Sequence, residues 1–200
     1  MSTQEGAALA GFDPASGFDA DFDFDLAVLG GGLPPDVQNL IEEGGRLWQQ
    51  PEQAHALLIK ARELAPEHPA TLIALYRFYF YSHRLAECRE IAKIALATSR
   101  YAVQSNYDPV ADARDNVPAR FYLFCLKGFA YLNLRLGEFD AARVALDELR
   151  LLDPKDVVGG SLLAIVLNRY ESGEDEYDDD VAPPSPSRKP YGWAQVEPTP

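Results

Sequence analysis

The sequence is poor in cysteine: Cys88 and Cys125 stand alone among 200 residues. Two thiols cannot build the disulfide framework of a small secreted domain. Each sits in an apolar helical pattern, the setting of a buried free cysteine. Histidine is scarce as well, with only His55, His68 and His83. None pairs with Cys or Asp at helical spacing, so surface or loop positions are expected and no metal site. No apolar run reaches the roughly 18 residues of a membrane span. The N-terminus lacks a basic segment followed by an apolar one, so no secretory signal is expected and a cytoplasmic location is. Catalytic signatures are missing too. Gly30-Gly31-Gly32 has no strand before it and no lysine after it, unlike a phosphate loop. No serine elbow or Cys–His arrangement is present. The expectation is a chain with no catalytic residue, no cofactor and no metal, and not an enzyme.

Basic residues are the other shortage, 18 Lys and Arg against 31 Asp and Glu, for a net charge of −13. The imbalance is confined to the ends. Residues 1–36 carry seven acids and no Lys or Arg, and residues 171–200 carry eight acids against Arg188 and Lys189. The stretch between them is neutral. That distribution lacks the basic footprint of a nucleic-acid binder and offers nothing to an anionic membrane leaflet. Acidic ends suit solubility or a basic partner.

Helical patterns fill the neutral stretch. Pro34, Pro35 and Asp36 mark a helix start, and Val37, Leu40, Ile41, Leu47 and Trp48 give it an apolar face. Gly44-Gly45 weakens it by about 1 kcal/mol per glycine relative to alanine, while permitting close approach of a neighbour. A second helix runs from Pro51 to Leu64, with Ala54, Leu57, Leu58, Ala61 and Leu64 on one stripe. A third spans about Ala70 to Tyr81 and a fourth about Leu85 to Ala97. From Tyr101 to Pro118 the pattern fails, and the segment reads as a loop or broken helical linker. Helices resume from Arg120 to about Leu136, from Phe139 to Leu152, and from about Val157 to Tyr170. The expected division is an acidic, disordered segment over 1–33, a helical domain over 34–170 with an insertion at about 99–118, and a disordered acidic and proline-rich tail over 171–200.

The helices repeat. Ala54 and Ala61 recur 34 residues later as Cys88 and Ala95, and Leu58 and Leu64 as Ala92 and Thr98. Ala142 lies one period plus 20 residues beyond Cys88, and the polar segment 99–118 accounts for the surplus. Small residues at these places let two antiparallel helices approach closely. GEFDAARVALDELRLLDP, residues 137–154, resembles the second-helix consensus of the tetratricopeptide-repeat (TPR) family. Gly137, Phe139, Ala142, Leu146 and Pro154 fall on its expected places, and Leu149 replaces the usual small residue. Gly128, Ala130 and Tyr131 resemble the first-helix signature, two residues farther from Gly137 than usual. In the second copy Leu72, Leu75 and Tyr79 match in type, and Tyr76 replaces the common glycine. The first copy keeps Ala54, Ala61 and Pro66. The resemblance implies an all-α solenoid of three helix pairs, with residues 157–170 as a cap over the last apolar face through Leu162, Leu163, Ile165, Val166 and Leu167.

A second resemblance spans three segments, EHPATLIALYRFYFYSHRL (67–85), RFYLFCLKGFAYLNLRLG (120–137) and LLDPKDVVGG (151–160). Together they look like the small TPR proteins encoded beside bacterial nitrogen-fixation genes. The implied role is accessory to the nitrogen-fixation system through protein contacts.

The segment Tyr76-Arg77-Phe78-Tyr79-Phe80-Tyr81 is the most distinctive in the chain. A helix distributes such a run around its circumference, so its rings cannot all face one core. By the register of the resemblance, Ile73, Arg77 and Phe80 face a partner-binding groove with Asn39 and Tyr81, while Leu72, Leu75 and Tyr79 pack inward. Aromatics and arginine dominate binding hot spots. Glu43 and Ile73 stand where a carboxylate clamp of the TPR kind needs polar or basic groups, so that ligand is not expected. In the N-terminal segment Phe18, Phe22 and Phe24 alternate with aspartates, as in a linear motif that orders on contact. An intramolecular contact between this segment and the groove is one expectation. The sequence favours a protein- or peptide-binding scaffold, with self-assembly through the last helix or the insertion as the alternative.

Overall fold

The computed structural model describes residues 32–104, 107–109 and 115–172. The acidic Phe-Asp segment, most of the proline-rich tail and part of the insertion lie outside the described residues. Among those described, the protein is all-helical. Seven α-helices follow one another: α1 (Pro35–Arg46), α2 (Pro51–Leu64), α3 (Pro69–Tyr81), α4 (Leu85–Ser99), α5 (Val117–Arg135), α6 (Phe139–Leu152) and α7 (Ser161–Ser172). A single 3-10 turn, Arg100–Val103, extends α4. None of these helices is long and apolar enough to cross a membrane.

Local chemistry sets the boundaries. Prolines open α1, α2, α3 and α5, where the missing N–H is no loss and the fixed φ already suits a helix. His68 caps α3 by accepting from the Ala70 amide at 3.2 Å. Asn116 caps α5 by accepting from Ala119 at 3.1 Å, which moves the start of that helix ahead of the expected Arg120. Gly137, at φ +74°, ends α5. The Glu138 amide donates to the Asn133 carbonyl at 2.8 Å and the Gly137 amide to Leu134 at 3.2 Å, satisfying carbonyls that the helix leaves open.

Each helix packs chiefly on its neighbours in the chain, and α7 also reaches back to α5. Two sets of positions equated by the 34-residue spacing are buried alike, whereas Leu64 is about half exposed and Thr98 is not buried. Ala54, Cys88 and Ala142 are fully enclosed, as are Ala61, Ala95 and Leu149 to within a few per cent. The thiols of Cys88 and Cys125 are free, buried and held well above their usual pKa, first of all by burial.

Two departures from the repeat pattern are each matched by a glycine. A Cβ at Gly128 would stand 2.9 Å from the Tyr76 hydroxyl, so α5 yields the space that Tyr76 takes on α3. A Cβ at Gly160 would stand 2.5 Å from Leu149 Cδ2, so the turn before α7 yields the space that Leu149 takes on α6.

The C-terminal helix begins later than the expected Val157. Asp153, itself buried, accepts from the amides of Val157 and Val158, both at 2.9 Å. Asp156 Oδ1 accepts from Gly160 at 2.6 Å and Ser161 at 3.0 Å. Gly159 takes φ +73° between them. These carboxylates satisfy the amides in a turn, so residues 157–160 have no need of a helix. From Ser161 onward, Leu163 and Leu167 are buried while Leu162 and Ile165 stay about half exposed. Only one stripe of α7 covers the core, not the whole apolar set.

Candidate partner-binding cleft

A recess of about 130 Å³ opens where α1, α2 and α3 meet. Gly44 and Gly45 of α1 form one wall, Trp48 of the following turn the rim, and Leu58 of α2 the floor. Arg77, Phe78, Tyr81 and Ser82 close the opposite side. The glycines let the wall come close, since a Cβ on Gly44 would stand 3.0 Å from Leu58 Cδ2. Pro51 restarts the chain in α2 and α1 stops at Arg46, so Trp48 falls in a turn. There it is 48% exposed, and Tyr81 across the recess is 37% exposed. Arg77 is only 8% exposed and lines the recess. It also interacts within the fold. Apolar walls with one cation and two open aromatic rings form a surface suited to an apolar side chain carrying an acidic neighbour.

The wall is braced from behind. Phe78 stacks on the His55 imidazole, centroids 5.3 Å apart and planes at 17°. His55 Nε2 lies 2.8 Å from the Tyr79 hydroxyl. The Arg84 guanidinium sits 4.6 Å over the Tyr79 ring and pairs with Glu87 at 2.8 Å. Burial, helped by Arg84, lowers the His55 pKa below 6.5, so the neutral ring is favoured. Burial raises the Tyr79 hydroxyl. The hydrogen bond from Arg84 lowers Glu87.

The five groove residues expected from the sequence register do not form one surface. Arg77 and Tyr81 meet in the recess. Phe80 supports Tyr81 edge-on at 5.4 Å, but otherwise stacks parallel on Tyr76 at 6.1 Å and tilts against Tyr131 at 5.8 Å. Ile73 corrects the expectation outright: it is 5% exposed and faces Ile91, Phe121 and Phe124 across a void of about 20 Å³. Helix α5 packs on α4 there and covers the face on which Ile73 was to meet a partner. Asn39 is exposed on α1, outside the recess lining. Phe18, Phe22 and Phe24 lie outside the described residues.

Trp48, Gly44, Gly45 and Leu58 were not expected at the site. The available signal was Trp48 itself, an aromatic between a glycine pair and Pro51 where no helix can continue. The histidines differ from expectation as well. His55 lies inside α2 and is half-buried, and only His68 and His83 are at helix ends. Among the described residues no three His, Cys, Asp or Glu side chains gather as a metal site.

No protein-family model matches the chain, and no solved structure matches it. A curated protein does, the uncharacterized 19.8 kDa protein in the nifW 5′ region of Azotobacter chroococcum mcd 1. It is 33% identical over 164 residues, spanning 75% of this chain and 89% of the relative. The chain belongs to the family of that nifW-region protein.

Proposed function

We propose that the protein is a non-catalytic, cytoplasmic scaffold of the TPR kind that serves the bacterial nitrogen-fixation system as an accessory factor through protein contacts. The observation that carries the binding role is the recess between α1, α2 and α3, where Trp48 and Tyr81 stand open beside Arg77. Large rings held half in solvent and an arginine in an apolar setting are the usual anchors of a binding hot spot. The helix-on-neighbour packing and the enclosed small residues at the 34-residue spacing support the solenoid part of the reading. The nifW-region relative supports the setting. The acidic balance of the chain speaks for a protein partner over nucleic acid or an anionic membrane.

The test is a capture experiment from a nitrogen-fixing host with full-length bait. Wild-type bait should retain a specific partner that Trp48→Ala and Arg77→Glu lose, with the helical circular-dichroism signal of Trp48→Ala intact. A partner retained by both variants would remove the recess from the proposal.

A second reading has one observation in its favour. Leu162 and Ile165 of α7 and Val144 and Leu151 of α6 are large apolar residues left substantially exposed. Self-assembly through the last helices would cover them. Sedimentation decides it, since a monomer at every concentration leaves those side chains no such role.

A further inference from the structure

We infer that the recess is occupied, in the free protein, by the chain's own segment 18–25, Phe-Asp-Ala-Asp-Phe-Asp-Phe-Asp. The inference rests on the reading of the recess as a binding site and names its resident ligand.

Size comes first. A recess of about 130 Å³ is close to the cavity of about 150 Å³ that takes up one benzene. One phenyl ring fits, and two do not. The lining is apolar and aromatic apart from Arg77 and Ser82, which suits a ring flanked by a carboxylate. Segment 18–25 supplies that pairing three times, at Phe18-Asp19, Phe22-Asp23 and Phe24-Asp25. A guanidinium presents five N–H donors in a planar fork, enough to receive an aspartate beside its contacts in the fold.

Charge points the same way. Residues 1–36 hold no Lys or Arg, so the segment has no cation of its own to satisfy its aspartates. The neutral helical body supplies one at the recess.

The segment also reaches the recess. The segment precedes α1 by ten residues, from Asp25 to Pro35, and α1 is itself a wall of the recess. Pro35 and Gly44 are nine residues apart on the helix, about 14 Å at 1.5 Å per residue. Phe24 precedes Pro35 by eleven residues, which extend to roughly 36–40 Å. The segment can therefore double back along α1 with slack. Docking in cis would also be strong for its contact area. Short linkers give a local concentration on the order of 1 mM. A contact with a free-peptide Kd of about 0.1 mM would then be roughly nine-tenths occupied.

The experiment uses the full-length chain. Phe18→Ala, Phe22→Ala and Phe24→Ala are combined, a change that leaves every described helix intact. Amide and indole shifts of Gly44, Gly45, Trp48 and Ser82 are compared with wild type by NMR, with Trp193→Phe assigning the two indoles. A synthetic peptide of residues 16–27 is then titrated into both chains. Those shifts should differ between the chains, and the peptide should bind the triple variant about tenfold more tightly than wild type, restoring the wild-type shifts. Identical shifts, or equal peptide affinity for both chains, would overturn the proposal. Wild-type shifts that collapse onto the variant's on dilution would also overturn it, in favour of a second copy donating the segment. Capture of a host partner through Trp48 would survive any of these failures, so the two readings fall separately.

Discussion

In α5 fourteen of nineteen residues are buried, whereas in α1 only Val37, Gly44 and Gly45 of twelve are. Both helices carry a proline in their first turn, yet they are packed very differently. Helix α5 is in contact with α4, α6 and α7, so apolar residues all round it find partners. Its Tyr122 ties three elements together, accepting from Arg100 at 3.1 Å and donating to Glu148 of α6 at 2.7 Å. Helix α1 packs chiefly on α2, and the turn that follows it leaves Trp48 about half exposed. A recognition surface needs exposed apolar groups, and these cost stability unless the rest of the fold supplies it. The α4–α6 end thus encloses α5 on several sides, while the α1–α3 end leaves the rings of Trp48 and Tyr81 open.

Substitutions should separate the two ends. The largest effect is expected at Leu132, fully buried in α5. Leu132→Ala should cost about 2–5 kcal/mol in urea unfolding. Trp48→Ala in the cleft rim should cost under about 1 kcal/mol by the same measurement, because half of the ring is already in water. Comparable losses at both positions would erase the distinction.

A smaller effect tests how the middle of the fold joins the ends. Gly128→Ala places a methyl 2.9 Å from the Tyr76 hydroxyl, and overpacking of this kind costs about 1–3 kcal/mol. In a Tyr76→Phe background the nearest remaining contact, to the ring carbon Cζ, is 3.3 Å. The cost of Gly128→Ala should shrink there, and a double-mutant cycle from denaturation midpoints would read the coupling directly.

The smallest expected effect is on pH. His55 has its folded-state pKa lowered from 6.5, chiefly by burial, and His68 shifts the same way for the same cause. An unfolded chain therefore takes up protons that the folded one resists. The contribution is fully present above pH 6.5 and declines as the pH falls below it. Urea midpoints at pH 7.5 and pH 5.5 should differ in that direction, and His55→Phe should reduce the difference. Since His55 braces Phe78, partner binding at the cleft should weaken over the same range.

Much of the fold was legible because its signals are local. Proline starts, the small residues at 54, 61, 88, 95 and 142, and the Gly137 turn placed most helices to within a few residues. What failed depended on contacts distant in sequence. Ile73 has a side chain suited to a groove or a core, and only the packing of α5 decides for the core. Residues 157–160 carry apolar valines that suit a helix, but the carboxylates of Asp153 and Asp156 hold a turn there. The lining of the candidate recess was only partly legible. Arg77 and Tyr81 were visible in one aromatic run, while Gly44, Trp48 and Leu58 join them only after two helices have folded back.

Hydrogen exchange on the full-length protein, alone and with its captured partner, is the most direct test of recognition at the cleft. Added protection is expected at residues 44–48 and 77–82, with α5 already protected in the free protein and unchanged by binding. Protection that appears instead on α6 and α7, leaving the cleft as it was, would contradict it.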